Sequence, residues 1–500
     1  MRFVKFIGVL VGVVSSISAH CQIEIDQSKW KEDLKFLKEQ ISKTVPNVEL
    51  DYIDKNFASL EANFSALNPE QKIIGMQKVL ADFKDEGIRV LPIQQIFNNT
   101  ILPIKTYWFE DGFYVLDAIG KYSSLINQQI ISINGLTIDE LFGKIVSNIS
   151  ADNENYKRNV FPFYIQSSVW LKGTGIITDD IHEVRLTLEN GQNVSVAFEE
   201  FEVYSKLKRD LVGSNESEPK GNYWKSYDAN SKKLTVQFQA IVDNDKGDNF
   251  SKFINDLKKD LTSKNVDKLI IDNRFGGGGN GFKLKAFTDL IIQDENINQQ
   301  GKLFVLTSRA TRGTVMELTS ILELNSKAIF IGEGTGEGPN LVGDIKIIEL
   351  PNSKIRVSLT HKFWPTSWPE DARAVLNPDL EVSYNFSDHI DQVDPWIEVV
   401  KTYVTDNRAA EMPKELLQQL SGKYKVKDYT LLVEKKDEKL VLSMNRKIKS
   451  FFEIHTELYF RVEGVLSTDI DQVELIYSSD ENENIIVDSL NWKGITLKVD

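Results

Sequence analysis

A single cysteine, Cys21, among 500 residues leaves no partner for an intrachain disulfide and no thiolate set for a zinc site. Basic residues are also in the minority. Lys and Arg number 59 against 73 Asp and Glu, a formal charge of −14. That balance argues against general binding to nucleic acid or to anionic membranes. No tract is repeated, of low complexity or patterned in heptads. What is present, 41% hydrophobic and 26% charged, is ordinary globular composition. At roughly 150 residues per domain, the length corresponds to about three domains.

The N-terminus reads as a targeting segment. Arg2 and Lys5 precede the apolar run Phe6 to Val14, and small residues follow from Ser15 to Ala19. The run is too short to span a bilayer, so no stable membrane insertion is expected. Ala19 and Cys21 suit positions −3 and −1 of a cut before Gln22, so residues 1–21 are expected to be a signal peptide. Its removal takes the only cysteine and makes the chain more acidic still. An exported protein without disulfides, periplasmic or extracellular, is the expectation.

Beyond it, Trp30, Leu34, Leu37 and Ile41 recur at helical spacing, and two further helices are expected before residue 100. Residues 22–100 thus read as a helical N-terminal cap. From 101 to 200 the pattern turns to strands such as Gly112–Leu116 and Gln129–Ile133, with a tight turn at Asn134-Gly135. From Leu234 to Val404, strands alternate with helices. That alternation implies crossover units and a mixed, mostly parallel sheet, an α/β core over 201–405. Ile345–Leu350 and Lys354–Thr360 read as a hairpin within it. Residues 414–500 read as a small all-β C-terminal domain, barrel or sandwich.

One segment carries chemistry. Lys268 to Asn280 reads KLIIDNRFGGGGN: a buried strand, an acid, then four glycines. Glycines let a backbone approach a ligand closely, and amides at a helix start can hold an oxyanion. A purely structural turn competes. The phosphate-loop lysine pattern is missing, and the glycine spacing does not suit a dinucleotide. Asp344, Asp294 and Glu295 show no metal-ligand spacing. No metal or cofactor is expected.

Gly301 to Glu323 reads GKLFVLTSRATRGTVMELTSILE, and Ala328 to Asp344 reads AIFIGEGTGEGPNLVGD. A late segment follows from Trp364 through Pro369-Glu370-Asp371 and Arg373 to Pro378-Asp379. In order and spacing these resemble the tail-specific, or C-terminal-processing, serine peptidases, the family that includes the tricorn core. The resemblance covers roughly 235–400. It implies a peptidase-like core with crotonase-like crossover units, and it makes residues 101–200 similar to that family's PDZ-like region. The C-terminal β domain resembles lipocalin-like tails of exported enzymes. The family implies an endopeptidase acting on unfolded or tail-exposed polypeptide. Its serine opens a helix after a strand and is activated by a His, or in some branches a Lys, with backbone amides as oxyanion donors.

Here the chain departs from that pattern. Through Arg309 and Thr311, the nucleophile position falls on Gly313. In Lys84 to Arg89 the base position falls on Gly87. A glycine can neither form an acyl-enzyme nor take a proton. The acid position survives as Glu370 or Asp371. Gly276, Gly277 and Gly278 are the expected oxyanion or peptide-binding amides, with Thr314 beside them. Thr314, Thr311, Ser308 and Ser320 are the nearby hydroxyls. Lys283, Lys285 and Lys327 are the nearby amines. The expectation is a peptide-binding pseudo-peptidase whose partners are unfolded chains or chain ends. The alternative is an active serine- or threonine-type endopeptidase with a relocated nucleophile. On sequence alone, Gly313→Ser with Gly87→His would restore some hydrolysis if the scaffold is intact.

Overall fold

The computed structural model describes residues 25–46, 50–91, 100–178, 180–207, 221–244, 247, 249–367 and 371–403. Strand segments between 420 and 498 complete it. The expected signal peptide lies outside the described residues. The chain divides into two compact units, one of residues 1–210 with 342–364 and one of 211–341 with 365–500.

In the first unit, helices α1 (Gln27–Thr44), α2 (Leu50–Asn63) and α3 (Pro69–Ala81) form the cap. Trp30, Leu34, Leu37 and Ile41 are all buried on one stripe of α1, as their spacing requires. Helix α3 starts at a capping box: Asn68 accepts from the Gln71 amide while the Gln71 side chain accepts from the Asn68 amide. Pro69 sits at the first position, where its missing N–H costs nothing.

Residues 101–200 are less β-rich than their pattern suggests. Between the hairpin Ile104–Phe109/Gly112–Ala118 and the strands Glu183–Leu188 and Asn193–Ala197 stand three helices. These are α4 (Ile138–Ile145), α5 (Glu154–Gln166) and α6 (Ser168–Gly173). The sequence NVFPFYIQ in α5 is rich in strand formers and holds Pro162. Packing overrides that propensity. Phe161 of α5 and Phe142 of α4 each lie 5.3 Å from the Trp108 ring, and Arg158 stacks on its face at 5.0 Å.

The hairpin expected near 345–360 forms, as strands Leu341–Glu349 and Arg356–Trp364. Residues 342–364, however, belong to the first unit rather than to the α/β core. Two contacts hold them there. Arg89–Val90 pairs antiparallel with Val357–Ser358. Buried Asp33 of α1 accepts from the amides of Asn352 at 2.8 Å and Ser353 at 2.7 Å, capping the hairpin turn.

The second unit carries a six-stranded sheet. Its order is Tyr223–Asp228, Lys233–Phe238, Lys268–Asp272, Leu303–Thr307, Ile329–Gly332 and Leu380–Glu381. The first pair is antiparallel and every later neighbour is parallel. The runs Leu269–Asp272, Leu303–Thr307 and Ile329–Gly332 are buried throughout, as expected of strands covered on both faces. Helices α7 (Phe250–Ser263), α8 (Leu284–Ile292) and α9 (Gly313–Asn325) make the crossovers, followed by α10 (Phe386–Ile390) and α11 (Pro395–Thr402). Three loops therefore emerge at the carboxyl ends of adjacent parallel strands: the glycine turn, 308–312 and 333–338. In α/β sheets that edge is where ligands bind. Residues 422–498 form eight antiparallel strands paired in chain order.

Candidate functional site

The strand Lys268–Asp272 delivers Asp272-Asn273-Arg274 into the core. Arg274 is 2% exposed and donates to both oxygens of Asp272 and both oxygens of Asp394, at 2.8 to 3.0 Å. Its guanidinium lies 4.8 Å from the Trp396 ring. Burial alone would lower the Arg274 pKa, but its two carboxylates carry it well above the usual value. Asp394 is held up by burial even though Arg274 pulls it down. This pair ties the turn to α11 and leaves the arginine no role toward a ligand.

The glycines follow. The Gly276 amide donates to Asn273 O and the Gly277 amide to Gln239 O. Gly276 O accepts from Arg312, and Gly277 O from Val315. A methyl group on Gly276 would enter the Val315 side chain. The tract thus lets the turn lie flat on the start of α9. Both amides, expected as oxyanion or peptide-binding donors, are thus engaged by backbone carbonyls. Gly278 differs. It is exposed, and among the described residues its amide donates no hydrogen bond.

Gly313 opens α9 with φ +58°, the left-handed region that side chains avoid. A Cβ there would lie 2.8 Å from Gly277 O and 3.3 Å from Gly278 Cα. Its amide donates to Glu337 Oε2 at 2.6 Å. Glu337 is 8% exposed. It therefore holds a carboxylate on the helix-start amide, where the helix dipole favours negative charge. The sequence reading missed Glu337. Its signal was an acid between Gly336 and Gly338 in the glycine-rich stretch GEGTGEGPN.

The neighbouring hydroxyls are mostly committed. Ser308 donates to Arg274 O at 2.6 Å, Thr311 to Asn273 O at 2.9 Å and Ser320 to Thr366 O at 3.1 Å. Thr314 is half-buried, and its hydroxyl has no hydrogen bond to a described residue. Lys283 pairs with Asp243 and Lys285 with Asp289. At the acid position, Glu370 lies outside the described residues. Asp371 is buried and accepts from Ser367 Oγ and from Arg373, whose guanidinium also grips Glu323. These bonds hold the Asp371 carboxyl below its usual range against the opposing effect of burial, which is the largest. It serves as a structural anchor for Arg373. Among the described residues no group of three His, Cys, Asp or Glu could hold a metal ion.

The segment expected to carry the base lies in the first unit. Gly87 is buried, and its amide donates to Asp85 Oδ1 at 2.8 Å. A Cβ on Gly87 would enter the Thr360 methyl group and lie 3.2 Å from Asp85 Oδ1. Thr360 Oγ1 donates to the other Asp85 oxygen. Burial pushes the Asp85 carboxyl up to about 6, opposed by these hydrogen bonds and aided by Glu86. In an unfolded chain Asp85 ionises near 3.8. Between those values the folded state holds the extra proton, so stability falls as pH rises from about 4 to about 6. The shift corresponds to a loss of about 2–3 kcal/mol. Asp85→Asn should abolish that decline and raise stability at pH 7 to 8 relative to the parent. Urea titrations of both proteins across pH 4 to 8 measure it, and parallel profiles would refute it.

No protein-family model and no curated protein matches this sequence. Solved structures do. A point mutant of CPAF superposes with a TM-score of 0.56 at 12% identity, covering 76% of this chain and 99% of that one. Mature CPAF complexed with lactacystin gives 0.51 at 13%, over 75% and 97%. The photosystem II D1 C-terminal processing protease also matches, at 0.37 and 12%, over 72% and 94%. The first two establish the fold. The resemblance to the tail-specific peptidases is thus borne out at the level of fold, and the chain carries a peptidase-like architecture.

Proposed function

We propose that this chain is an exported peptide-binding protein on a peptidase-like fold, holding unfolded polypeptide or chain ends without cutting them. One observation carries the reading. At Gly313, the position a nucleophile would occupy, the backbone is left-handed, the Cβ space is filled by the Gly277 peptide and the amide is bound by Glu337. Acyl transfer needs a nucleophilic side chain with a base in contact, and neither Gly313 nor Gly87 has a side chain. The exposed Gly278 amide suits strand addition by an extended chain. Export rests on the pattern of residues 1–21.

A second reading keeps one observation of its own. The Thr314 hydroxyl stands one residue along α9 without a hydrogen bond among the described residues, so an endopeptidase using it is the competing function. Incubating the mature protein with a pool of unfolded peptides, followed by mass spectrometry, decides between them. The expected result is an uncut pool from which some peptides are retained. New termini that grow with time and vanish in Thr314→Ala would overturn the binding reading.

A further inference from the structure

Helix α3 carries Gln71, Ile74, Gly75 and Lys78 at i, i+3, i+4 and i+7, a single stripe of its surface. Lys144, Ser147 and Asn148, at the end of α4 and in the turn beyond it, repeat the i, i+3, i+4 spacing. Leu67 with Gly173 and Thr174, where α6 ends, complete the lining of a cavity of about 300 Å³. That is the lower end of the size range for small-molecule sites.

The polar groups of this cavity are biased toward donation. Gln71 has its carbonyl oxygen engaged by the Asn68 amide, which leaves its NH2 group to spare. Neither Lys78 nor Lys144 forms an ion pair within 4.0 Å among the described residues. Glu140, one turn before Lys144, is drawn to the other end of α4 by the Thr137 amide and hydroxyl. Asp82, one turn beyond Lys78, is exposed, so Asp82 and Glu140 act on Lys78 and Lys144 through space rather than by ion pairs. Leu67 and Ile74 add an apolar floor. The helix dipole accounts for a lysine in the last turn of α3 and of α4. It does not account for both lysines lining one cavity with a spare amide and a serine.

We propose that this cavity binds a small organic carboxylate with an apolar body, its oxygens between Lys78 and Lys144 and its body against Leu67 and Ile74. Calorimetric titration with N-acetylleucine at low ionic strength tests it, with inorganic phosphate as the comparison anion. The full chain should bind N-acetylleucine, with affinity falling as salt is added. Lys78→Gln with Lys144→Gln should weaken it at least tenfold. Both lysines are exposed, so the double variant should stay folded with only a small drop in melting temperature from the lost helix-dipole charges, and each single variant gives an intermediate loss of affinity. A tetrapeptide ending in leucine reports the source: equal affinity assigns a chain end, and much weaker binding assigns a free acid. No binding, binding of phosphate alone, or undiminished binding by the double variant would overturn the proposal.

Discussion

Arg274→Ala should remove about 5 kcal/mol from the stability of the α/β core. Arg274 is 2% exposed and is shared by two carboxylates that are themselves 2% and 4% exposed. Replacing it strands Asp272 and Asp394 side by side without a counter-charge and leaves a cavity over Trp396. Removing one partner of a buried ion pair costs about 3–5 kcal/mol. Here one arginine serves two acids, so the upper end, about 5 kcal/mol, is expected. Whole domains have only about 5–15 kcal/mol in total. Arg274→Lys keeps the charge but loses the fork that meets both carboxylates, so it should fall between the variant and the parent. Urea denaturation followed by circular dichroism gives the differences. Adding Asp272→Asn and Asp394→Asn to Arg274→Ala should recover part of the loss, since the repulsion then disappears. A loss below about 1 kcal/mol for Arg274→Ala would show that the network is not what holds this turn.

That network also marks how far the sequence could be read. The apolar strands from Leu269 to Ile331 announce themselves because a parallel sheet is buried on both faces and needs continuous runs. The α1 stripe is legible for the same kind of reason, a period that burial imposes. Asp272, Arg274 and the glycines were visible as a pattern, but their partners were not. Asp394 lies 120 residues from Arg274, and nothing local links them. The α5 helix was hidden because Phe161 and its aromatic neighbours favour a strand by propensity and a helix by packing. The hairpin at 345–360 is legible as strands, but its place in the first unit is not. Its anchors, Asp33 and Arg89, lie more than 260 residues earlier. The glycines at 313 and 87 could be read directly. The conformation that makes Gly313 hard to refill could not, because a positive φ has no sequence signature beyond glycine itself.

Gly313→Ser combined with Gly87→His should therefore restore no hydrolysis. The two positions differ in kind. At Gly87 the obstacle is a side chain: the Thr360 methyl group, which Thr360→Ala removes. At Gly313 the obstacle is backbone. A Cβ would sit 2.8 Å from Gly277 O, and that carbonyl is pinned by the Val315 amide. A serine would also have to hold φ +58°, a conformation that costs a side chain about 1–2 kcal/mol. To escape both, the start of α9 would have to rotate, breaking the Gly313 amide's bond to Glu337 and lifting the chain from the glycine turn. The total for Gly313→Ser should be about 2–4 kcal/mol of stability, measurable by the same urea titration, with Gly313→Ala matching it because the hydroxyl is not the cause. A fluorophosphonate probe, which labels only an activated serine, should leave the double variant unmarked even with Thr360→Ala added. Labelling at position 313, or new peptide termini from the double variant, would mean that α9 reaches a second arrangement in which the serine is presented to substrate. Glu337→Gln separates the remaining explanation. If the carboxylate on the Gly313 amide were what keeps the site closed, adding that substitution to the inert variant would bring labelling back. If the backbone contact is the cause, it will not.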